Sequence, residues 1–381
     1  MKPTTRPEES TVKQSNLYLA FELGQKEWKL AFAAEAGQKP RLRTIGARDR
    51  AALALEIERA RERFGLAPGC TVVSCYEAGR DGFWLHRYLE SKGIVNRVVD
   101  SSSIEVNRRA RRAKTDRLDA QKLVGMLIRY EQGETKVWSV VRVPSVEAED
   151  ERQAVRELES LKQERTRHRN RIGSLLASVG IESKVGRKFA AELDQLRQWD
   201  GRPLPARLGE RLRREWQRLE AVQGQIRGLE KQRAEASKKV EAPAVTQQKA
   251  QQLMGLRAIG PNSAWMFATE FFGWRKFNNR REVGSLAGLT PMPYQSGSSS
   301  REQGISKAGN GRLRRMTIEI AWAWLRFQPQ SGLSLWFQER YGPGTRRNRR
   351  VGIVALARKL LVSLWRYLET GVLPEGAQLK G

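Results

Sequence analysis

The chain has 381 residues and a formal net charge of +28, from 70 Lys and Arg against 42 Asp and Glu; that length holds two or three domains with a real core, and the charge makes nucleic acid the first partner to consider. A hydrophobic fraction of 39% and 11 tryptophans argue against a disordered basic tail. No apolar run approaches the roughly 20 residues that a bilayer span needs.

Residues 1–15 read as a flexible polar tail without the apolar core of a secretion signal, so a cytoplasmic, nucleoid-associated protein is expected. LYLAFEL (17–23) and WKLAFAA (28–34) are β-rich runs joined by the polar turn GQKE. Residues 48–64 have helical composition and spacing, TVVSCYE (71–77) is a strand, and DGFWLHRYLESKG is a helix ended by glycine. IVNRVVD (94–100) is a further apolar strand, and from Leu118 LDAQKLVGMLIRYEQG reads as a helix. Strands alternating with helices predict an α/β layer fold. Cys70 and Cys75 are the only cysteines, and the strand-like setting of Cys75 predicts buried free thiols. With His86 and His168 the only histidines, a structural zinc site is not expected. Any metal would take oxygen ligands, which means magnesium or manganese.

After about residue 145 the pattern turns charged and helical. A second helical block carries Leu208, Leu212, Trp216, Leu219, Val222, Ile226 and Leu229, at gaps of 4, 4, 3, 3, 4 and 3, close to a coiled-coil seam. With the turn WDGRPLP between the blocks, an antiparallel helical arm is expected, either protruding and dimerising or packed in a bundle. Further on, LMGLRAIGPNSAWMFATEFF places a tight AIGP turn between apolar helices, like a helix-hairpin-helix whose amides contact phosphates; a plain helical turn fits as well. GLTPMPYQSGSSSREQGISKAGNGRLRR is poor in core residues and reads as a functional loop. AWAWLRF, SLWFQERYG and VALARKLLVSLWRYL are helices whose aromatics belong to a core, and RRNRR (346–350) is a basic cluster. The expected boundaries are a tail (1–15), an α/β domain (16–145), a helical coiled-coil arm (146–245) and a mostly α C-terminal domain (246–381).

Four carboxylates stand out. Glu22 is near the end of the first strand, Glu77 follows TVVSCY, and Asp116 and Asp119 lie i, i+3 within RRARRAKTDRLDAQKL. Strand-end and helix acids can converge at one edge of a sheet, where like charges are costly unless cations neutralise them. Two magnesium ions about 4 Å apart, bridged by such acids, would suit phosphodiester chemistry. Singly, each acid is a surface charge or a cap, as Asp116 would be for a helix beginning at Leu118; together they predict a metal site. Arg108, Arg109, Arg111, Arg112 and Lys114 beside them would take phosphates, as would Arg301, Lys307, Asn310, Arg312, Arg314 and Arg315 around the serine loop. That loop offers Ser296, Ser298, Ser299, Ser300 and Ser306 with no histidine nearby in sequence. Spacing leaves open whether the loop binds phosphate or supplies a nucleophile, and does not choose among the serines.

In order, Glu22, CYEAG with Glu77, KTDRLDA with Asp116 and Asp119, LRAIGPNSA and YQSGSSSREQGISKAGN resemble the DEDD transposases of bacterial insertion sequences. This is the one-ten family of bridge-RNA-guided serine recombinases, and the resemblance covers about residues 16–140 and 250–345. It implies a RuvC-like, ribonuclease-H-type first domain, an arm for assembly and a C-terminal transposase domain. By motif position it implies Ser296 as nucleophile and Glu22, Glu77, Asp116 and Asp119 as the magnesium-binding acids. The family has aspartate at the first acid; Glu22 has a longer side chain, which shifts the metal. The implied reaction is strand exchange through a covalent phosphoserine–DNA link, with donor and target DNA chosen by a structured guide RNA and the protein acting as a dimer or tetramer. Two other readings are a RuvC-type two-metal junction nuclease without a covalent step, which would not need the serine loop, and a non-catalytic RNA- or DNA-binding scaffold.

Overall fold

In the computed structural model, Leu17–Leu23 (β1) and Glu27–Ala33 (β2) pair as an antiparallel hairpin, as their apolar runs predict. Arg41–Gly46 (β3) then joins β2 antiparallel. This strand escaped the sequence because RLRTIG carries basic residues where an apolar period would show, which suits an edge strand. Its Arg41 is buried and donates to Glu56 at 2.6 Å. Arg50–Phe64 (α1) starts at Asp49, whose side chain accepts from the Ala52 amide, and ends at left-handed Gly65. It leads to Val72–Glu77 (β4), parallel to β1; Trp84–Ser91 (α2) then leads to Val95–Val99 (β5), parallel to β4. The sheet order β3-β2-β1-β4-β5 puts β1 and β4 side by side in the middle.

One sheet face packs Trp28, Leu30 and Phe32 against Leu53, Ile57, Leu85 and Leu89 of α1 and α2. The other packs Tyr18, Ala20, Ala31 and Cys75 against Ala120, Leu123, Val124 and Leu127 of Asp116–Glu131 (α3). This α3 begins at Asp116, two residues ahead of the start at Leu118 expected from the sequence. Burial pushes the Cys75 thiol far up and makes it inert; Cys70 is half-buried, and both are free. The structure describes residues 16–80, 82–104, 116–182, 185–186, 188–236, 244–296 and 299–380. The tail and the cluster Arg108, Arg109, Arg111, Arg112 and Lys114 lie outside them. The chain divides into two compact units, Met1–Val143 and Pro144–Gly381.

The second unit opens with two long helices. Val146–Ala177 (α4) is capped by Ser145, which accepts from the Ala148 amide, and carries Glu147 and Glu149 in its first turn. After the short Phe189–Glu192 (α5), Ala206–Ala236 (α6) returns antiparallel. Early α4 (Leu158, Leu161) meets late α6 (Val222, Ile226), and late α4 (Ile172, Leu176) meets early α6 (Leu212, Trp216, Leu219). All seven seam positions read from the sequence belong to these contacts.

Glu215 of α6 is 3% exposed and accepts from His168 Nδ1 (2.8 Å), Arg171 Nη1 (2.9 Å) and Arg218 Nη1 (2.8 Å). Burial alone would raise its carboxyl, but hydrogen bonds from His168 and Arg171 and the charges of Arg171 and Arg218 hold it down at about 2. Glu215→Ala is expected to cost about 2–3 kcal/mol at neutral pH, read as a lower urea midpoint of the full chain. A carboxyl with a depressed folded pKa stabilises fully above its ordinary value of 4.5. The gap between wild type and variant therefore narrows as pH falls below 4.5 and closes near 2; a pH-independent gap would refute the assignment.

The remaining helices are Val245–Met254 (α7), Pro261–Phe267 (α8), Arg280–Leu286 (α9), Gly311–Phe327 (α10), Gly332–Tyr341 (α11) and Arg346–Thr370 (α12). A π-turn, Ala268–Phe272, continues α8. Their core holds Phe267, Phe271, Trp324, Phe337, Leu356 and Leu360. Not every aromatic of AWAWLRF joins it: Trp324 is buried, while Trp322 is exposed because residues two apart on a helix point to different faces, and Phe327, the last residue of α10, is exposed at its end. The RRNRR cluster forms the exposed first turn of α12. Among the described residues no helix is long and apolar enough to cross a membrane.

Candidate active site

Phe21 of β1 lies beside Tyr76 of the parallel strand β4, so the next residues, Glu22 and Glu77, emerge side by side at the carboxyl ends of the two central strands. Both line a cleft of about 310 Å³, with Tyr76, Gly79, Arg80 and Ser101. Crevices outside the carboxyl ends of parallel strands are where α/β folds place ligands. Glu22 and Glu77 are hard oxygen donors of the kind magnesium takes, and a cation between them would relieve their mutual repulsion. They fit as two of its ligands. Asp119 is half-buried on α3, next to the fully buried Ala120, and is not in the lining of the cleft. The Asp116 side chain lies outside the described residues. Among the described residues no group of three or more His, Cys, Asp or Glu side chains stands together as a metal-holding set. The topology thus brings Glu22 and Glu77 to adjacent strand ends, in a cleft whose lining does not include Asp119.

The serine-rich stretch, expected as an irregular loop, is a two-stranded antiparallel hairpin: Pro291–Ser296 (β6) and Ser299–Ile305 (β7). Ser296 is the last residue of β6, paired with Ser299; Gln295 pairs with Ser300 and Tyr294 with Arg301. Two prolines and no apolar alternation hid these strands, yet a two-stranded ribbon tolerates proline on its outer edge. Ser298 and the side chains of Ser296, Ser299, Ser300 and Arg301 lie outside the described residues.

The base of the hairpin is tightly held. The Ser306, Lys307 and Asn310 amides donate to the carbonyls of Thr290 (2.9 Å), Gly288 (3.2 Å) and Leu286 (2.9 Å). Lys307 adopts φ +56°. A Cβ on Gly288 would lie 2.0 Å from the Ala308 carbonyl oxygen, and one on Gly309 would lie 2.2 Å from that of Leu286. Both glycines also have positive φ, so only glycine fits. Arg314 Nη1 donates to the carbonyls of Lys307 (3.0 Å) and Ala287 (3.3 Å). Of the other residues expected at nucleic acid, Asn310 caps α10 through its side-chain oxygen, and Arg312 and Arg315 pair with Glu159 of α4 at 3.2 and 2.9 Å.

A buried charge near the hairpin base was not singled out in the sequence. Glu270, in the π-turn, accepts from Arg156 Nε (2.6 Å) and Nη2 (3.0 Å) and holds that guanidinium firmly charged. Its only sequence signal is a lone acid in the apolar run FATEFF. π-turns recur at functional sites.

Comparison with known proteins bears on the whole chain. Residues 250–334, from within α7 to within α11 and including the hairpin, match the family described as Transposase IS116/IS110/IS902. A Sinorhizobium fredii (strain NBRC 101917 / NGR234) protein named "Putative transposase y4rJ" is 42% identical, with 98% of each chain aligned. The transposase for insertion sequence element IS1111A of Coxiella burnetii is 25% identical over 80% of this chain and 78% of its own. That for element IS1328 of Yersinia enterocolitica is 35% identical over 30% of this chain and 34% of its own.

Proposed function

The chain belongs to the IS116/IS110/IS902 family of transposases, and from that premise we propose that it cuts and rejoins DNA strands through a covalent Ser296–phosphate link, at sites chosen by pairing with a structured guide RNA. The observation that carries this reading is the position of Ser296 at the end of β6, on a hairpin whose base is clamped by backbone bonds and Arg314. A nucleophile presented on a rigid element keeps its geometry better than one on an irregular loop.

In the first step the Ser296 oxygen bonds to the scissile phosphorus while the bond from phosphorus to the leaving sugar oxygen breaks, and the serine proton ends on that oxygen. In the second, a sugar hydroxyl of the partner duplex bonds to phosphorus, the serine–phosphorus bond breaks, and the hydroxyl proton returns to serine. One phosphodiester is broken and one is made, so no nucleotide cofactor is needed. Glu22 and Glu77 of a RuvC-like first unit, with Asp116 and Asp119 of α3, would hold magnesium or manganese. Bound there, the metal would neutralise charge at the scissile phosphate. The α4–α6 pair would act as a coiled arm for dimer and tetramer assembly. A charge of +28 suits a protein that tracks nucleic-acid backbones and leaves sequence choice to base pairing.

The test is to purify the full chain from cells, sequence the RNA that comes with it, and assay DNA rejoining before and after ribonuclease treatment. One structured RNA species and loss of rejoining on its removal are expected. Site-specific rejoining by RNA-free protein would overturn the guide.

A further inference from the structure

Among the described residues, two acids of the second unit are almost wholly buried. Glu215 is satisfied within the α4–α6 pair, whereas Glu270, 2% exposed, joins three separate parts of the chain. It sits in the π-turn after α8, takes two bonds from Arg156 of α4, and accepts a longer bond (3.4 Å) from Asn310 Nδ2. The Asn310 amide has one workable orientation. Its Oδ1 accepts from the Arg312 and Leu313 amides at 3.0 and 3.1 Å, which leaves Nδ2 to face Glu270. Asn310 also closes the base of the hairpin through its amide bond to the Leu286 carbonyl.

Neighbouring contacts run the same way. Arg152 lies over the Trp274 ring at 4.9 Å, and Glu159 takes Arg312 and Arg315 of α10. Arg152, Arg156 and Glu159 follow the i, i+4, i+7 spacing of a single helix face. One stripe of α4 is thus bonded to the segment around the π-turn and to the start of α10, next to the hairpin base. A buried carboxylate is expensive to leave without partners, so a displaced Arg156 or Asn310 would draw Glu270 with it.

We infer that Glu270 is a positioning residue: the chain Arg156–Glu270–Asn310 ties helix α4 to the base of the Ser296 hairpin, so that the placement of α4 sets the placement of the serine. This rests on the proposed role of Ser296. Movement of the arm during assembly would then reach the nucleophile through three side chains rather than through the general rigidity of the unit.

The experiment uses full-length protein with its co-purified RNA. Asn310→Asp keeps the oxygen that caps α10 and replaces only the donor facing Glu270 with an acceptor. It is expected to speed amide hydrogen exchange across 291–310, leave the core amides of α12 at the wild-type rate, and slow strand rejoining by about 10–100-fold. Glu270→Gln, which keeps the size of the side chain but gives up one of the two oxygens that accept from Arg156, is expected to speed exchange over the same residues. Unchanged exchange over 291–310 in Asn310→Asp would overturn the inference. So would an equal rise in α12, or wild-type exchange over 291–310 in Glu270→Gln. Ser296→Ala is assayed alongside: if it still rejoins DNA, the serine reading fails while the exchange result stands on its own.

Discussion

Ser296→Ala is expected to abolish covalent protein–DNA adducts and to reduce strand rejoining by about a thousandfold or more, with RNA binding unchanged. Alanine removes the oxygen that would bond to phosphorus and alters nothing else in the residue. Position 296 ends β6, so its backbone bonds with β7 do not depend on the side chain. The measurement is a denaturing gel of protein with labelled DNA, followed by mass spectrometry of the adduct. Ser299 and Ser300, which pair across the hairpin with Ser296 and Gln295, are the internal controls. An adduct that persists in Ser296→Ala and maps to either of them would move the nucleophile and sink the assignment.

The second large effect concerns the acids. Glu77→Gln and Asp119→Ala are each expected to lower magnesium-dependent strand cleavage by about a thousandfold, and chelation of the metal is expected to do the same to wild type. Glu77→Gln keeps the size of the side chain and removes the charge that a divalent cation needs. Asp119→Ala is the sharper trial, because Asp119 is not in the lining of the cleft that holds Glu22 and Glu77. If the acids act as one metal site, losing Asp119 should be as damaging as losing Glu77. Full cleavage in Asp119→Ala with loss in Glu77→Gln would restrict the metal to the two strand-end carboxylates, and full cleavage in both would end the metal reading. Isothermal titration of magnesium into each variant separates lost metal from lost fold.

Much of the fold could be read along the chain. β1, β2, β4 and β5 announce themselves as apolar runs, and the seven seam positions of α6 by their helical spacing, because side-chain periodicity is local and survives without knowledge of the partner. Elements stabilised by something other than apolar burial were missed. β3 is an edge strand whose Arg41 is buried by pairing with Glu56, and the serine hairpin is held at its base by backbone bonds, two glycines and Arg314.

The candidate site divides along the same line. Sequence alone determined which residue types were available: strand-end and helix acids, a serine-rich stretch and a large excess of cations. Tertiary structure alone decided which of them meet. Glu22 and Glu77 are neighbours because α1 returns the chain so that β4 lies parallel to β1, a pairing set by burial of both sheet faces and invisible to any local pattern. Glu270 meets Arg156 and Asn310 for a related reason: a buried carboxylate must find its partners, and packing of α4 against the π-turn brings them from distant parts of the chain.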